Sequence, residues 1–176
     1  MLETAVAIVL DDARPQLEPV RAEFHAQSVA AGIPLHVTLL YPFVPGEQLD
    51  DRILAALSDF FARRAGFTLT LTGIAEFPRV VYAVPEPRDE LDAMMRELWE
   101  QFPDYPPYEG EIADPVPHAT LAELEQDASQ ADIVAGIRAK TESLFPLTCV
   151  IRDVALLEEH APNRWRERQR FPLRSS

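Results

Sequence analysis

Two short segments of the sequence pair a histidine with a threonine two residues later. The first contains His36 and Thr38, and the second contains His118 and Thr120. Side chains alternate between the two faces of a β-strand, so in a strand the imidazole and the hydroxyl of each segment project from the same face. If the two segments face each other, two titratable rings and two hydroxyl groups meet in one small volume.

These four groups are sufficient to cleave a phosphodiester without a metal. One neutral imidazole takes a proton from the attacking water, and the other, as imidazolium, donates a proton to the departing oxygen. The threonine hydroxyls donate hydrogen bonds to the non-bridging oxygens as negative charge builds there. The sequence therefore predicts His36 and His118 as catalytic, Thr38 and Thr120 as substrate-binding, and no metal or cofactor. The equivalent positions of the two histidines leave open which is the acid and which is the base.

The two segments belong to a longer internal repeat. Residues 34–39 read P-L-H-V-T-L and residues 116–121 read V-P-H-A-T-L. Each is preceded by a predicted helix and loop and followed by a helix and two strands, and the first strand after the helix begins F-T-L-T in one half and F-P-L-T in the other. The two remaining histidines, His25 and His160, have no such threonine, and we expect them to be structural. The duplication predicts two lobes related by a pseudo-twofold axis, with the His/Thr strands facing each other across a cleft.

Apolar periodicity and turn residues predict the elements that position these strands. Strands are expected at residues 4–10, 36–40, 67–77, 80–84, 118–124, 147–157 and 164–171, and helices at 15–31, 49–65, 89–102 and 129–144. The predicted fold class is α+β, in which two antiparallel-sheet lobes with outer helices enclose a central cleft. The length of 176 residues fits one bilobal domain spanning residues 1–176.

The charge of the chain limits its partners. A formal net charge of −13 would repel a polyphosphate backbone, which excludes long duplex nucleic acid but leaves room for a small phosphodiester in a locally positive site.

The apolar run at residues 5–10 has no basic residue before it and meets Asp11 and Asp12, so it is too short and wrongly flanked for a signal peptide or a membrane span. We therefore expect a cytoplasmic monomer without a membrane partner.

Basic side chains alternate along one predicted strand and have two interpretations. They are Arg164, Arg166, Arg168 and Arg170. A solvated sheet edge explains them more simply, and a cationic substrate rim is the second interpretation. Arg79, near the end of another strand, fits an exposed turn as well as a phosphate contact.

Three further groups of residues carry weaker signals. Base stacking is possible for three aromatic residues, although packing explains each more simply: Tyr41, Tyr82 and Trp165. The acids before the second motif have two interpretations: Glu109, Glu111 and Asp114. They fit a metal site, but their irregular spacing gives more support to a solvated loop. The single cysteine, Cys149, lies in an apolar stretch and is expected to be a buried structural thiol.

The paired motifs resemble those of a known superfamily. H-V-T-L at residues 36–39 and H-A-T-L at 118–121 are similar to the paired H-x-T/S-hydrophobic motifs of the 2H phosphoesterases, which include 2′-5′ RNA ligase-like and cyclic phosphodiesterase proteins. L-L-Y-P-F at residues 39–43 and the closing run from Trp165 to Leu173 extend the resemblance over most of the chain. It implies a bilobal α+β fold, with the two histidines as catalytic groups and Thr38 and Thr120 as phosphate-binding hydroxyls.

The activity implied by the resemblance is hydrolysis, or in some members reversible ligation, of 2′,3′-cyclic or 2′-5′ phosphodiester bonds in RNA ends or nucleotides. Ala122 and Glu123 follow the second motif where a basic residue would better suit an RNA strand, so a small or terminal phosphodiester is favoured over polymeric RNA. Two other classes remain open. One is a sensor that binds a nucleotide in the same cleft with little or no turnover, and the other is a protein-interaction domain with a vestigial cleft.

Overall fold

The fold consists of two four-stranded antiparallel sheets with five helices packed around them, as a computed structural model of residues 1–175 shows. The strands are β1 Thr4–Val9, β2 His36–Leu40, β3 Phe67–Phe77, β4 Val80–Glu86, β5 Ala119–Glu123, β6 Leu147–Ile151, β7 Asp153–Ala161 and β8 Arg164–Pro172. The helices are α1 Arg14–Phe24, α2 Ala26–Ala30, α3 Asp51–Ala62, α4 Arg88–Gln101 and α5 Gln130–Thr141. The predicted α+β class with two antiparallel-sheet lobes is confirmed.

The two sheets are arranged so that the strands with the His/Thr pairs lie at equivalent edges. The strand order is β2-β1-β7-β8 in the first sheet and β5-β4-β3-β6 in the second. Helix α4 packs beside β2 and helix α1 packs beside β5, and the two edge strands also contact each other. This arrangement is the predicted duplication, and it leaves a cleft between the lobes.

Strand β1 shows how the sequence forms the first sheet. Its six residues are all buried, as expected for a short continuous apolar run. Val6 and Ile8 face the main hydrophobic core, whereas Ala5, Ala7 and Val9 pack in a second small cluster on the opposite face. Because the alanine side chains are short, this second face leaves room above the sheet for the cleft.

The predicted strand at residues 147–157 is wrong, because the chain forms two strands there. It breaks at Arg152, so that β6 pairs with β3 in the second sheet while β7 pairs with β1 in the first. Buried residues occur on both sides of Arg152, and an apolar pattern does not change when the chain passes from one sheet to another. The similar F-T-L-T and F-P-L-T segments are neighbours, with Thr70 opposite Thr148, and do not occupy equivalent places in the two lobes.

The helix predicted at residues 15–31 also forms two elements. Helix α1 ends at Phe24, His25 leaves the helical conformation with φ −144° and ψ 43°, and α2 follows. The remaining helices begin and end within three residues of the predicted bounds. Helix α3 begins after Asp50, whose side chain accepts hydrogen bonds from the backbone N–H groups of Arg52 and Ile53, as an N-cap does.

Each sheet contains strands from both halves of the chain. The single unit at residues 1–176 stays a prediction, and Ser176 lies outside the described residues. Across residues 1–175, none of the helices has the length and apolar character needed to cross a membrane.

Gly32 allows the connection between α2 and β2 to lie against the β7–β8 hairpin. Its φ is +84°, in the left-handed region, and a Cβ at this position would lie 2.5 Å from the carbonyl oxygen of Trp165. The neighbouring Ala31 carbonyl accepts a hydrogen bond from the Trp165 N–H at 2.7 Å.

We therefore expect Gly32→Ala to lower the free energy of unfolding by about 1–2 kcal/mol from the backbone conformation alone, with the steric conflict adding to this. Urea unfolding measures the effect.

The matched control is Gly73→Ala in β3, where an added Cβ meets nothing within 4 Å. We expect the control to unfold close to the wild-type urea midpoint. Equal midpoints for Gly32→Ala and the wild type would show that the connection is not held in this conformation.

Candidate active site

The four predicted site residues line one cleft of about 920 Å³ between the two lobes. His36 and Thr38 come from β2, Thr120 comes from β5, and His118 immediately precedes β5. Val37 and Leu39 on the opposite face of β2 are fully buried, as the alternation of the strand predicts. The fold thus brings together the groups that lie far apart in the sequence.

Both histidine rings are held by the same local hydrogen bond. His36 Nδ1 lies 2.7 Å from the carbonyl oxygen of Pro34, and His118 Nδ1 lies 2.7 Å from the carbonyl oxygen of Val116. A carbonyl oxygen only accepts hydrogen bonds, so Nδ1 carries the proton in both rings. In each neutral ring, Nε2 is therefore the acceptor that is available for chemistry.

Burial lowers the pKa of both histidines. The pKa of His36 is lowered to about 4, first by burial and further by the positive charges of Arg21, His118 and His25, while the bond to Pro34 opposes the shift. Burial also lowers the pKa of His118, against the opposing effect of the bond to Val116. Both rings are thus neutral at pH 7, and neighbouring positive charges add to the effect of burial at His36.

Two aromatic rings surround His118. Phe77 and Tyr82 stack on each other with centroids 4.4 Å apart, and each contacts the imidazole edge-on at 5.3 and 5.6 Å. Tyr82 is buried, which agrees with the packing role favoured for it over base stacking. The pair restricts the orientation of the His118 ring.

The two threonine side chains of the predicted site face the cleft. Thr38 and Thr120 are half-buried on the cleft face, and within residues 1–175 neither hydroxyl makes a hydrogen bond to the protein. Thr38 lies opposite Ala7 on β1, and Thr120 lies opposite Tyr82 on β4. Each hydroxyl is placed on a strand whose position is fixed by a neighbouring strand.

A buried arginine that was not predicted as a site residue fixes the segment before His36. Arg21 is 1% exposed, and its guanidinium donates hydrogen bonds to the carbonyl of Ile33 at 2.8 Å, to Ser28 and to Glu18. It thereby holds the chain immediately before Pro34, whose carbonyl orients the His36 ring. The sequence signal was a charged residue four positions after Leu17, on the apolar face of the helix.

His25 lines the cleft, although we expected only a structural role. Its Nδ1 is buried and has no hydrogen-bond partner among residues 1–175, and its Nε2 lies 4.0 Å from a carboxylate oxygen of Glu123. The break between α1 and α2 turns this side chain towards the cleft, which helical periodicity does not indicate. His160 is exposed on β7 and is not among the residues that line the cleft.

Only one arginine of the predicted basic strand lines the cleft, namely Arg164. The others form ion pairs: Arg166 and Arg168 with Glu158, and Arg170 with Asp11, Asp153 and Glu167. Arg79 donates hydrogen bonds from its guanidinium to the carbonyl of Leu124, across a strand end. These arginines stabilise the sheets.

The remaining candidates divide between the cleft and the structure. Tyr41 and Trp165 line the cleft, together with Tyr108, which the sequence did not indicate. Cys149 is buried, and burial raises its pKa to about 11. The acids of the loop are exposed, namely Glu109, Glu111 and Asp114. Over residues 1–175, no three His, Cys, Asp or Glu side chains are grouped so that they could hold a metal ion.

Comparison with known proteins identifies a matching family and solved structures with a similar fold. The family model described as the 2′-5′ RNA ligase superfamily matches residues 9–163. A crystal structure of Escherichia coli LigT complexed with ATP has a TM-score of 0.63, with 22% identity over 99% of both chains. TT0787 of Thermus thermophilus has a TM-score of 0.60, with 25% identity over all of both chains. A structure described as a phosphoesterase has a TM-score of 0.66, with 22% identity over 98% of both chains. No curated protein gave a significant match.

The burial of the two rings predicts their titration. We expect the His36 ring to titrate near pH 4 and the His118 ring below its ordinary value of 6.5, in NMR spectra recorded across a pH series. Inorganic phosphate should raise the pKa of both rings, because a bound anion favours the imidazolium form. Titration of both rings at 6.5, unchanged by phosphate, would contradict the described cleft.

Proposed function

The chain belongs to the 2′-5′ RNA ligase superfamily, and on that premise we propose that it is a phosphoesterase that hydrolyses a 2′,3′-cyclic or 2′-5′ phosphodiester of a nucleotide or RNA end. The observation that carries the proposal is the pair of histidines in one cleft, each with Nδ1 bonded to a backbone carbonyl. A protein that only binds a nucleotide does not need two titratable rings with Nε2 available as an acceptor in the same cleft. This pair is therefore better suited to proton transfer than to ligand sensing.

In the proposed reaction His36 is the general base and His118 is the general acid. His36 is close to Arg21, whose charge disfavours its imidazolium form, so it stays neutral while His118 is protonated. His36 Nε2 takes a proton from water as the water oxygen bonds to phosphorus. The bond from phosphorus to the departing ribose oxygen breaks, and His118 Nε2 donates its proton to that oxygen. Proton exchange with solvent then restores both rings.

The threonines serve the phosphate group in this mechanism. Their hydroxyls donate hydrogen bonds to the two non-bridging oxygens from opposite sides of the cleft, where charge increases in the transition state. Both donors are neutral, and in this scheme the imidazolium of His118 supplies positive charge to the phosphate. The scheme requires no metal, and it fits a small or terminal phosphodiester because the cleft also contains Glu3, Glu123 and Glu159.

Substitution of either histidine tests the proposal most directly. We expect His36→Ala and His118→Ala each to lower kcat/KM by roughly 10²- to 10⁴-fold, because each removes one proton-transfer group. Thr38→Ala and Thr120→Ala should cost less, since a second hydroxyl still binds the phosphate. The assay measures turnover of 2′,3′-cyclic nucleotides and a 2′-5′ linked dinucleotide in excess EDTA.

The matched control is His160→Ala, which removes an exposed histidine outside the cleft and should leave turnover unchanged. Activity that disappears in EDTA and returns with a divalent cation would overturn the metal-independent mechanism. Saturable nucleotide binding without turnover in the wild type would favour the sensor function instead.

The pH dependence of kcat/KM follows from the assigned roles. Activity requires neutral His36, whose pKa is about 4, and protonated His118, whose pKa lies below 6.5. As pH falls through 4 the base is lost, and as pH rises through the pKa of His118 the acid is lost. We expect a bell-shaped profile with its maximum between these values. A flat profile from about pH 5 to 9 would argue against two-histidine catalysis.

A further inference from the structure

We infer that the rim of the cleft formed by Glu3, Tyr41 and Glu159 recognises a nucleobase by its N–H donors, and that it selects guanine. The inference rests on the proposed function for the phosphate end of the substrate. It concerns the part of the cleft that the catalytic mechanism leaves unused. These residues form one continuous group, which we call the carboxylate rim.

The carboxylate rim is a connected structure with its acceptors held in place. The Tyr41 hydroxyl donates a hydrogen bond to Glu3 Oε2 at 2.7 Å, and the Glu159 N–H donates to the Glu3 carbonyl at 2.8 Å. The Glu159 carboxylate accepts hydrogen bonds from two backbone N–H groups, that of Asn163 at 2.7 Å and that of Glu3 at 3.4 Å. A carboxylate has about four acceptor positions, so both glutamates keep the capacity to accept further hydrogen bonds.

Neither carboxylate of the rim is neutralised, in contrast to the adjacent Glu158. Within residues 1–175, Glu3 and Glu159 have no ion-pair partner, whereas Glu158, on the other face of β7, binds both Arg166 and Arg168. Arg164 is in the same hairpin as Glu159, yet its guanidinium donates to the carbonyl of Ala30 instead. The arginines of this hairpin thus form no ion pair with either rim carboxylate within residues 1–175. The rim therefore suits a ligand that supplies N–H donors.

Aromatic side chains on either side of the rim suit a planar ligand. Trp165 lies directly opposite Glu159 in the pairing of β7 with β8, and Tyr108 contacts Tyr41 edge-on at 6.4 Å. All four residues line the cleft. Aromatic faces stack on bases without strong preference among them, so the rings supply affinity and the carboxylates supply selection.

The distance from the phosphate site fits a base attached through ribose. Thr38 pairs with Ala7, and Glu3 lies four residues before Ala7, which corresponds to about 13 Å along the sheet. Glu3, Ala5 and Ala7 share one face of the chain because side chains alternate. A phosphate held by Thr38 and a base at the rim would thus lie along one wall of the same cleft. A second phosphate at the rim would meet two negative charges and is disfavoured.

Guanine is the base that best satisfies a carboxylate. It presents adjacent N–H donors at N1 and at the 2-amino group, which match the two oxygens of one carboxylate. Uracil presents one N–H between two carbonyl oxygens, and these would be repelled. Hypoxanthine keeps N1–H but lacks the 2-amino group, so it isolates the contribution of the second hydrogen bond.

The test compares 2′,3′-cyclic phosphates of guanosine, inosine and uridine with the wild type, Glu159→Gln and Glu123→Gln. We expect the wild type to prefer the guanosine substrate by about 10- to 100-fold in kcat/KM, as hydrogen bonds to a charged group imply. Glu159→Gln should abolish this preference by raising KM for guanosine, with little effect on uridine. Glu123→Gln removes the same charge from another part of the cleft and should keep the preference.

Equal kcat/KM for the three substrates, or a guanine preference that survives Glu159→Gln, would overturn the inference while leaving the proposed function intact. If the wild type turns over none of them and does not cleave the 2′-5′ linked dinucleotide, calorimetric binding of the 3′-monophosphates of the same nucleosides tests the rim by itself. A guanine preference in binding that is lost in Glu159→Gln would uphold the rim and overturn the proposed function. Equal binding of the three monophosphates would overturn both.

Discussion

Each half of the chain completes the sheet that the other half begins. Strands β1 and β2 open the first sheet, but β3 crosses to the second sheet and pairs with β4, while β7 returns from the second half to pair with β1. The helices are exchanged in the same way, since α1 packs beside β5 and α4 beside β2. Neither sheet can form from one half alone. The cleft between them, and the approach of the two His/Thr strands, therefore depend on the whole chain.

Within this fold, a short-range interaction determines which ring nitrogen of each histidine carries the proton. The bond from Nδ1 to a carbonyl two residues earlier needs only the local extended backbone, so each half of the duplication supplies it independently. The environment then distinguishes two otherwise equivalent rings. His36 is close to the buried guanidinium of Arg21, whereas His118 is packed against Phe77 and Tyr82. The symmetry of the fold supplies two similar groups, and its local departures from symmetry give them different proton affinities.

The sequence predicted the parts of the site that depend on local pattern. The bounds of β2 and β3 were predicted correctly because alternation and turn residues are properties of neighbouring residues. The break at Arg152, the turn of His25 into the cleft and the contact of Tyr108 with Tyr41 were missed, because each depends on residues distant in the chain. The Tyr108 N–H donates to the Tyr41 carbonyl at 2.6 Å across a loop whose tip, at Tyr108 and Glu109, has positive φ. No pattern in the residues around Tyr108 indicates that partner.

Adjacent glutamates on β7 show how the charges of a strongly acidic protein are divided between the two faces of one strand. Strand alternation directs Glu158 away from the cleft, where two arginines neutralise it, and directs Glu159 into the cleft, where none does. In the proposed function, the phosphate contacts neutral hydroxyls and imidazoles that gain charge when an anion binds. Because the potential around it is negative, each additional phosphate on a ligand is disfavoured. In the proposed function, this distribution of charge favours a substrate with a single phosphodiester, and the carboxylates that disfavour a polymer are those proposed to contact the attached base.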